Sequence, residues 1–355
     1  MNLTDLGYNE TIEKLRIQHN LTDFAVGRVI AEHRDRYVVA TGTGELDAEI
    51  TGNLRFSAKS RADFPAVGDW VALITFDADS AIIHQILPRF SVLKRQAAGQ
   101  RGDVQIIAAN IDFAFIVQAI DRDFNLNRLE RYLIICHASK VNPVIVLTKT
   151  DLADEELIAS VSGKIQKRIE NVPLFAISNE SREGIETFQQ FIEKGKTYCM
   201  LGSSGVGKST LLNTLSGKTV MKTGAISQHS DRGRHVTSHR QLTVLENGGI
   251  LIDNPGMREV GIADTSGGLE TTFSGIVNLA EDCRFKDCTH TGESGCAVIS
   301  AVENGKIEQH AYENFLKMER EKAHFESTVA ERRKKGKELA KVVKNYKNDK
   351  KRNKL

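Results

Sequence analysis

The segment Gly202–Ser209 constrains this chain more than any other stretch. It reads GSSGVGKS and matches the pattern G-x-x-x-x-G-K-[ST] at every position. Apolar residues 199–201 precede it, and leucines at 211, 212 and 215 follow with helical spacing, which predicts a strand, a loop and a helix. Glycines let successive backbone N–H groups turn inward around phosphate oxygens, and the helix N-terminus adds favourable partial charge. The segment therefore predicts a nucleotide phosphate site; the bland alternative is a chance glycine-rich turn with a surface lysine.

Residue types in this segment suggest individual roles. Lys208 would reach the β- and γ-phosphates and stabilise charge on a transferred phosphoryl group, so it is a candidate catalytic residue. The Ser209 hydroxyl would ligate Mg²⁺. The predicted nucleotide-binding residues here are Gly202, Ser203, Ser204, Gly205, Val206, Gly207, Lys208, Ser209 and Thr210.

A second motif, Thr148-Lys149-Thr150-Asp151, directly follows a predicted buried strand at 144–147. An ionised aspartate only accepts hydrogen bonds, so Asp151 matches the N1–H and N2 donors of guanine, a pair that adenine lacks. The stem of Lys149 can lie over the base. Ser178, at the end of another predicted strand, could brace it. The alternative is a surface turn in which Asp151 caps a helix.

A third motif, Asp253-x-x-Gly256, ends a predicted strand at 250–252. An acidic residue there can hold Mg²⁺, and the Gly256 N–H can meet a γ-phosphate. Together the motifs predict GTP with Mg²⁺. In most GTPases the phosphate loop precedes the base-reading motif, whereas here it follows. Strands alternate with helices throughout this region, so we expect an α/β GTPase domain that is circularly permuted.

The N-terminal part predicts a small β-barrel. Five short β-prone runs occupy 24–30, 37–40, 46–51, 69–74 and 81–87. That count favours the oligonucleotide-binding (OB) type, with an SH3-type barrel as the alternative. We interpret Trp70 as a core residue. Residues 88–101 read as a basic linker, and residues 1–23 as either a short helix or a mobile arm.

Cysteines cluster near the C-terminus as C-x4-C-x-H-x5-C, formed by Cys283, Cys288, His290 and Cys296. Three thiolates and one imidazole within 14 residues form the ligand set of a closed tetrahedral zinc site, so we predict one structural Zn²⁺. The chain has five cysteines, an odd number that suits a reducing compartment.

Charge is distributed unevenly along the chain. Residues 331–355 carry 12 Lys/Arg and 3 Asp/Glu, while the chain as a whole has a net charge of +2. The tail is either a solvated appendage or an anchor for RNA phosphates. No apolar run approaches ~18 residues and no signal-peptide pattern starts the chain, so we expect a cytoplasmic protein with no membrane partner.

With these motifs the chain resembles the RsgA (YjeQ/YloQ) family of circularly permuted GTPases. The resemblance spans roughly 24–325 and includes Arg-His-x-Thr at 234–237 and Asp-x-Pro-Gly-x-Arg-Glu at 253–259. It departs from the family at Thr148, where Asn is usual, and at Val236, in a triplet that is normally rich in threonine. It also has an N-terminal extension and a long basic tail.

The resemblance implies a GTPase that assists late maturation of the small (30S) ribosomal subunit, is stimulated by that subunit and leaves it after hydrolysis. It makes His235 a candidate catalytic residue and Thr237 the candidate switch threonine on Mg²⁺, with Ser238 also open. A solvated loop histidine is the alternative for His235. Met257 replaces the usual water-positioning Gln, so we expect slow intrinsic turnover. Arg232 and Arg234, close to His235 in the sequence, could bind RNA phosphate rather than take part in catalysis.

The expected organisation has five parts: an N-terminal extension (1–23), an OB-type barrel (24–95), the GTPase domain (96–262), a helical zinc-binding module (263–330) and a basic tail (331–355). The expected partners of a monomer are GTP or GDP and the small ribosomal subunit with its rRNA. Two other functions stay open. One is a nucleotide-gated rRNA-binding scaffold with incidental hydrolysis, and the other is a permuted GTPase or ATPase acting on another RNA or on a metabolic enzyme.

Overall fold

Five strands at the N-terminal end close into a barrel in the computed structural model, which describes residues 2–33, 36–77, 79–96, 104–121, 124–217, 241–253, 267–323 and 331. The strands are β1 (Ala25–His33), β2 (Arg36–Ala40), β3 (Glu45–Ile50), β4 (Trp70–Thr75) and β5 (Ser80–Ile86). Their order is β1-β2-β3-β5-β4, and β4 pairs back onto β1. Only β3 and β5 run parallel among these pairs. This Greek-key closure confirms the OB type.

The barrel interior is filled by the inward-facing side chains of its strands. Val29, Val39, Val71 and Ile83 are fully buried there because alternate residues of each strand point inward. Trp70 is 2% exposed and packs in the neighbouring core, which confirms its prediction as a core residue.

The N-terminal segment is helical rather than an extended arm. A 3-10 turn (Leu3–Leu6) precedes helix α1 (Glu10–Gln18), whose N-cap Asn9 accepts hydrogen bonds from the N–H groups of Thr11 and Ile12. Leu6, Ile12 and Leu21 are buried in the same core as Trp70, so these residues anchor the segment. Between β3 and β4, the chain forms helix α2 (Gly52–Ser57) and a 3-10 turn (Arg61–Asp63).

The predicted basic linker at 88–101 is wrong where strand β6 (Val92–Gln96) forms. It pairs antiparallel with β7 (Val104–Ala109), a strand that was not predicted from the sequence. Leu93 is fully buried, and this burial outweighs the basic character of its neighbours. Arg89, the first basic residue of the segment, is bound by Asp69: Nε lies 2.8 Å from Oδ1 and Nη2 lies 2.6 Å from Oδ2.

The predicted α/β domain is confirmed. In chain order its elements are β8 (Phe113–Ala119), α3 (Leu126–Ala138), β9 (Asn142–Thr148), α4 (Glu155–Arg168), β10 (Leu174–Ala176), α5 (Ile185–Gln190), β11 (Thr197–Leu201), α6 (Lys208–Ser216), β12 (Gln241–Val244) and β13 (Ile250–Asp253). The spatial order is β10-β9-β8-β11-β13-β12, parallel except for the β12–β13 hairpin. Apolar clusters cover both sheet faces. Strand β12 also meets β1, with Gln241 opposite Ala31, so the sheet continues into the barrel.

Short helices form the C-terminal unit: α7 (Gly268–Thr272), α8 (Ser274–Ala280) and α9 (Ala297–Glu303), followed by a helical stretch at 309–323, here α10. Ile134 of α3 is buried among the apolar residues of this unit. Helix α7 approaches α3 so closely that a β-carbon on Gly268 would lie 2.3 Å from the Ile134 carbonyl oxygen. The unit is therefore packed tightly onto the α/β domain.

None of the helices in the described ranges combines the length and the apolar character that a membrane crossing requires. The domain limits given above stay predictions, and most of the basic tail lies outside the described residues.

Candidate nucleotide and metal sites

The parallel strands bring the predicted nucleotide motifs to one edge of the sheet. Thr148 ends β9, Ser178 follows β10, Gly202 follows β11 and Asp253 ends β13. Carboxyl ends of parallel strands meet at the same edge, and this edge is where ligands bind in open α/β sheets. The register pairs Cys199 with Ile252, so Asp253 comes to this edge beside the start of the phosphate loop.

Backbone conformation in the phosphate loop explains its glycines. Gly202 has φ +149° and Gly207 has φ +89°, and a β-carbon on Gly202 would lie 2.3 Å from the Val117 carbonyl oxygen. Helix α6 begins at Lys208, whose Nζ donates hydrogen bonds to the carbonyl oxygens of Gly202 (2.7 Å) and Ser203 (2.5 Å). The amine therefore lies across the loop. Ser209 and Thr210 follow in the first turn of α6.

Thr148 connects the predicted base-reading motif to this loop. Its side chain is fully buried, and its hydroxyl donates a hydrogen bond of 2.6 Å to the carbonyl oxygen of Val206. A threonine in place of the more usual asparagine therefore still supplies a donor to the loop. The next residue, Lys149, has φ +60° and its Nζ lies 2.9 Å from Oδ2 of Asp121. Asp121 was not among the predicted site residues, although its position just after β8 places it at the same edge.

Asp151 and Ser178 are also brought together. The Ser178 hydroxyl accepts hydrogen bonds from the N–H groups of Glu180 (3.1 Å) and Ser181 (3.0 Å) and donates to Oδ1 of Asp151 at 2.5 Å. These bonds fix the carboxylate in one orientation. Helix α4 is capped instead by Asp154, which accepts from the Leu157 N–H, so Asp151 does not cap that helix.

Part of the predicted site lies outside the described residues. This applies to His235, Thr237 and Gly256, and also to Arg232, Arg234, Ser238 and Met257. Of the three predicted Mg²⁺ ligands, Ser209 and Asp253 are described. Asp253 ends β13 at the carboxyl edge of the sheet, and Ser209 lies in α6, which begins at that edge.

The predicted zinc ligands converge. One ligand atom from each of Cys283, Cys288, His290 and Cys296 lies within 4.8 Å of all the others. Cys283 Sγ is 3.8 Å from Cys296 Sγ and 3.7 Å from Nδ1 of His290, and this Nδ1 is 3.4 Å from Cys296 Sγ. A tetrahedron with metal–sulfur bonds of about 2.3 Å has edges of about 3.8 Å, so the donor set and its spacing fit Zn²⁺.

Backbone groups support these ligands. Cys283 Sγ accepts a hydrogen bond from the Ala297 N–H at 3.3 Å, and Cys296 Sγ accepts one from the Ile299 N–H at 3.4 Å. Burial raises the pKa of the Cys283 thiol, but N–H donation from Ala297 and Val298, together with hydrogen bonds to Cys296 and Cys288, lowers that pKa overall. The thiolate, which is the ligand form, is therefore favoured.

Glu293 holds the loop that carries His290. Its carboxylate accepts hydrogen bonds from the N–H groups of Thr289 (2.8 Å), Thr291 (2.9 Å) and Gly292 (3.1 Å). The Thr289 hydroxyl, together with the N–H groups of Thr289 and Gly292, holds the pKa of Glu293 well below its usual range. The Tyr312 hydroxyl of α10 donates to the His290 carbonyl oxygen at 2.5 Å, which connects the loop to the helical unit.

A buried ion pair lies between the metal-ligand unit and the α/β domain. Glu130 of α3 receives two hydrogen bonds from Arg168 of α4, at 2.7 and 2.8 Å, and one from Asn314 of α10 at 2.5 Å. The side chains of Glu130 and Arg168 are 4% and 7% exposed. Burial outweighs the Arg168 and Asn314 contacts and raises the pKa of Glu130.

Two family models match the chain. The RsgA GTPase model matches residues 86–263, about half of the chain. An ABC transporter model matches residues 186–354, a smaller share that includes the phosphate loop.

Relatives and solved structures agree with the first model. Small ribosomal subunit biogenesis GTPase RsgA 1 of Bacteroides thetaiotaomicron is 38% identical over 347 residues, covering 98% of this chain and 97% of that protein. The crystal structure of YjeQ from Thermotoga maritima matches with a TM-score of 0.63 at 26% identity, over 83% of this chain and 96% of that one. YloQ, a circularly permuted GTPase, matches in fold with a TM-score of 0.61 at 23% identity, over 87% and 98% of the two chains.

Proposed function

Because the chain belongs to the RsgA GTPase family, we propose that it binds GTP at the carboxyl edge of its sheet and hydrolyses it during late maturation of the small ribosomal subunit. The observation that carries this proposal is the double connection at that edge. Thr148 is bonded to the phosphate loop, and Ser178 is bonded to Asp151. One nucleotide can therefore be read at its base and held at its phosphates by groups that are already linked.

Each motif has a part in the bound nucleotide. Asp151 accepts from N1–H and N2 of guanine, and Lys149 lies over the base. Ser178 holds Asp151, and Thr148 connects this motif to the phosphate loop through Val206. The loop N–H groups and Lys208 bind the phosphates. Ser209, Thr237 and Asp253 would hold Mg²⁺, which would neutralise charge on the phosphates, and the Gly256 N–H would meet the γ-phosphate.

Hydrolysis on this proposal depends on positioning and on electrostatic stabilisation. Lys208 and the loop N–H groups stabilise charge on the transferred phosphoryl group. His235 positions the attacking water, since Met257 has no polar group for that task. Turnover of the isolated chain is therefore slow, and the small subunit completes the site.

The flanking parts recognise the subunit. The OB-type barrel and the zinc-bearing unit contact rRNA, and the basic tail adds phosphate contacts. The GTP form binds the subunit, and hydrolysis releases the chain, which works as a cytoplasmic monomer. The five-part division at residues 23, 95, 262 and 330 belongs to this proposal.

The test is GTP turnover by the full chain with and without purified small ribosomal subunits. We expect a large stimulation by subunits, and none in a Lys208→Ala variant. Replacing His235 with Ala should remove the stimulation while leaving nucleotide binding intact. Turnover that is unaffected by subunits would contradict the proposal. Completed subunit maturation in cells that carry only the Lys208→Ala chain would instead support the scaffold alternative.

A further inference from the structure

Asn179 has an unexplained carboxamide beside the nucleotide site. Its Oδ1 atom is buried and has no hydrogen-bond partner among the described residues. Buried polar atoms are paired in the great majority of native structures, because an unpaired one retains the cost of leaving water. The Nδ2 donor of the same carboxamide has no hydrogen bond to the described residues either and, unlike Oδ1, is not buried, so it is available to a bound ligand.

The amide lies between the base-reading pair and the phosphate loop. Asn179 directly follows Ser178, whose hydroxyl holds Asp151. Its Nδ2 would lie 3.4 Å from a β-carbon placed on Gly207, and the Thr148 hydroxyl would lie 3.9 Å from the same point. The side chains of Thr148 and Asn179 therefore converge on the last glycine of the loop.

The chemistry of guanine identifies what this amide can bind. Asp151 takes the N1–H and N2 donors at one edge of the base. The remaining acceptors are O6, N3 and N7, and N7 lies farthest from the edge that Asp151 takes. The ribose and phosphates run from the base towards the loop, so N7 faces the loop side of the Ser178–Asp151 pair. Nδ2 of Asn179 is a donor on that side.

We propose that Asn179 is a specificity-determining residue whose Nδ2 donates a hydrogen bond to N7 of the bound guanine. This inference rests on the proposed GTP site and adds a residue to it. Thr148 and Asn179 then divide two tasks at this position. The short Thr148 side chain holds the loop through Val206, and Asn179 supplies the donor to the base.

A nucleotide lacking the N7 acceptor tests the contact directly. Calorimetric titration compares GDP with 7-deaza-GDP on the wild-type chain, Asn179→Ala and Asn179→Asp. The wild type should bind 7-deaza-GDP about 10-fold more weakly than GDP, as expected for one lost hydrogen bond of about 1.4 kcal/mol. Both variants should bind GDP more weakly and lose the discrimination at N7.

Glu180→Gln is the matched control, because Glu180 is the next residue along the chain and is exposed. It should discriminate at N7 as the wild type does. Circular dichroism and zinc content establish that each variant is folded. An Asn179→Ala chain that still discriminates fully at N7 overturns the assignment, as does a wild type that binds both nucleotides equally.

A residue exchange gives a second measurement. Thr148→Asn alone places a longer amide in the space beside Asn179 and should weaken GDP binding. Combining Thr148→Asn with Asn179→Ala should restore affinity and discrimination at N7, because one amide again serves both tasks. Additive losses in the double variant would contradict the division of tasks.

Asp151→Ala separates failure of this inference from failure of the GTP site. If Asp151→Ala leaves GDP affinity unchanged, the proposed function itself is wrong. If Asp151→Ala abolishes GDP binding while the Asn179 variants behave as wild type, only the role of Asn179 is wrong.

Discussion

Arg28, on barrel strand β1, donates a hydrogen bond of 2.9 Å from Nη2 to the hydroxyl of Thr197, the first residue of the strand that ends at the phosphate loop. The same guanidinium donates to the carbonyl oxygens of Leu6 (2.6 Å), Gly68 (3.2 Å) and Asn110 (3.0 Å). Burial lowers the pKa of Arg28 to about 10, so it stays charged at neutral pH. One buried cation therefore joins the N-terminal segment, the barrel and the GTPase sheet.

Replacing Arg28 with Met should destabilise the whole chain. The change leaves the Leu6 and Asn110 carbonyl oxygens without this donor in a buried site, where each unpaired group costs about 1–3 kcal/mol. We expect a loss of about 3 kcal/mol or more in the free energy of unfolding, measured by urea denaturation. The control is Arg36→Met, because Arg36 forms an exposed ion pair with Glu49 that contributes under about 1 kcal/mol. Equal effects of the two changes would show that the Arg28 contacts are not important for stability.

Replacing Thr148 with Val should uncouple the base-reading motif from the phosphate loop. Valine has a similar shape but cannot donate to the Val206 carbonyl oxygen, so that buried oxygen loses a hydrogen bond of about 1 kcal/mol. We expect GDP affinity to fall about 5- to 10-fold in a fluorescence titration. Thr148→Ser keeps the hydroxyl and should bind GDP nearly as the wild type does. A Val variant with unchanged affinity would show that the connection does not position the nucleotide.

Local sequence patterns predicted most of the helices, strands and motifs of this chain. They could not predict contacts between residues that are far apart in the sequence. Gly202–Ser209 and the four predicted metal ligands were visible because each motif is complete within a few residues. Strand β6 was hidden because its burial depends on a partner strand that begins at Val104. The bond from Arg28 to Thr197 joins residues 169 positions apart, and no spacing rule predicts it.

Within the nucleotide site the same division holds. The motif at 148–151 was visible, but the role of Thr148 depends on Val206, a residue 58 positions later. Asn179 carries no motif signal at all, since an asparagine after a strand is ordinary loop composition. Its placement became evident only where the folded loop brings Gly207 beside it.

Replacing Cys288 with Ser should remove zinc and loosen the helical unit. Cys296 and Cys283 pack with Val298 and Phe315 in that unit, so ligand convergence and apolar packing stabilise the same residues. We expect one zinc per wild-type chain by mass spectrometry, loss of zinc in the variant and faster proteolysis within residues 267–323. Cys136→Ala is the control, because Cys136 is a buried thiol of α3 outside the cluster. A Cys288→Ser chain that retains zinc would contradict the ligand assignment.

The buried Glu130–Arg168 pair should make stability depend on pH in a defined direction. Burial raises the pKa of Glu130 above its ordinary value of 4.5, so the folded chain keeps a proton that the unfolded chain has already lost. Unfolding then releases a proton in the range above 4.5, and rising pH favours unfolding until the folded pKa is passed. Glu130→Gln cannot titrate and keeps an acceptor for Arg168 or Asn314.

The free energy of unfolding of the wild type minus that of Glu130→Gln should therefore decrease as pH rises from 4.5, and then level off. Taking this difference cancels the other carboxylates, which titrate in both chains. Urea denaturation at several pH values measures it. Glu308→Gln is the control: Glu308 pairs with Lys167 in a more exposed position, and its pKa is lowered mainly by that hydrogen bond, so its difference should stay level above pH 4.5 and decrease only as the pH falls below 4.5. If the free energy of unfolding of the wild type minus that of Glu130→Gln instead increases with pH, the Arg168 and Asn314 contacts outweigh the cost of burying Glu130.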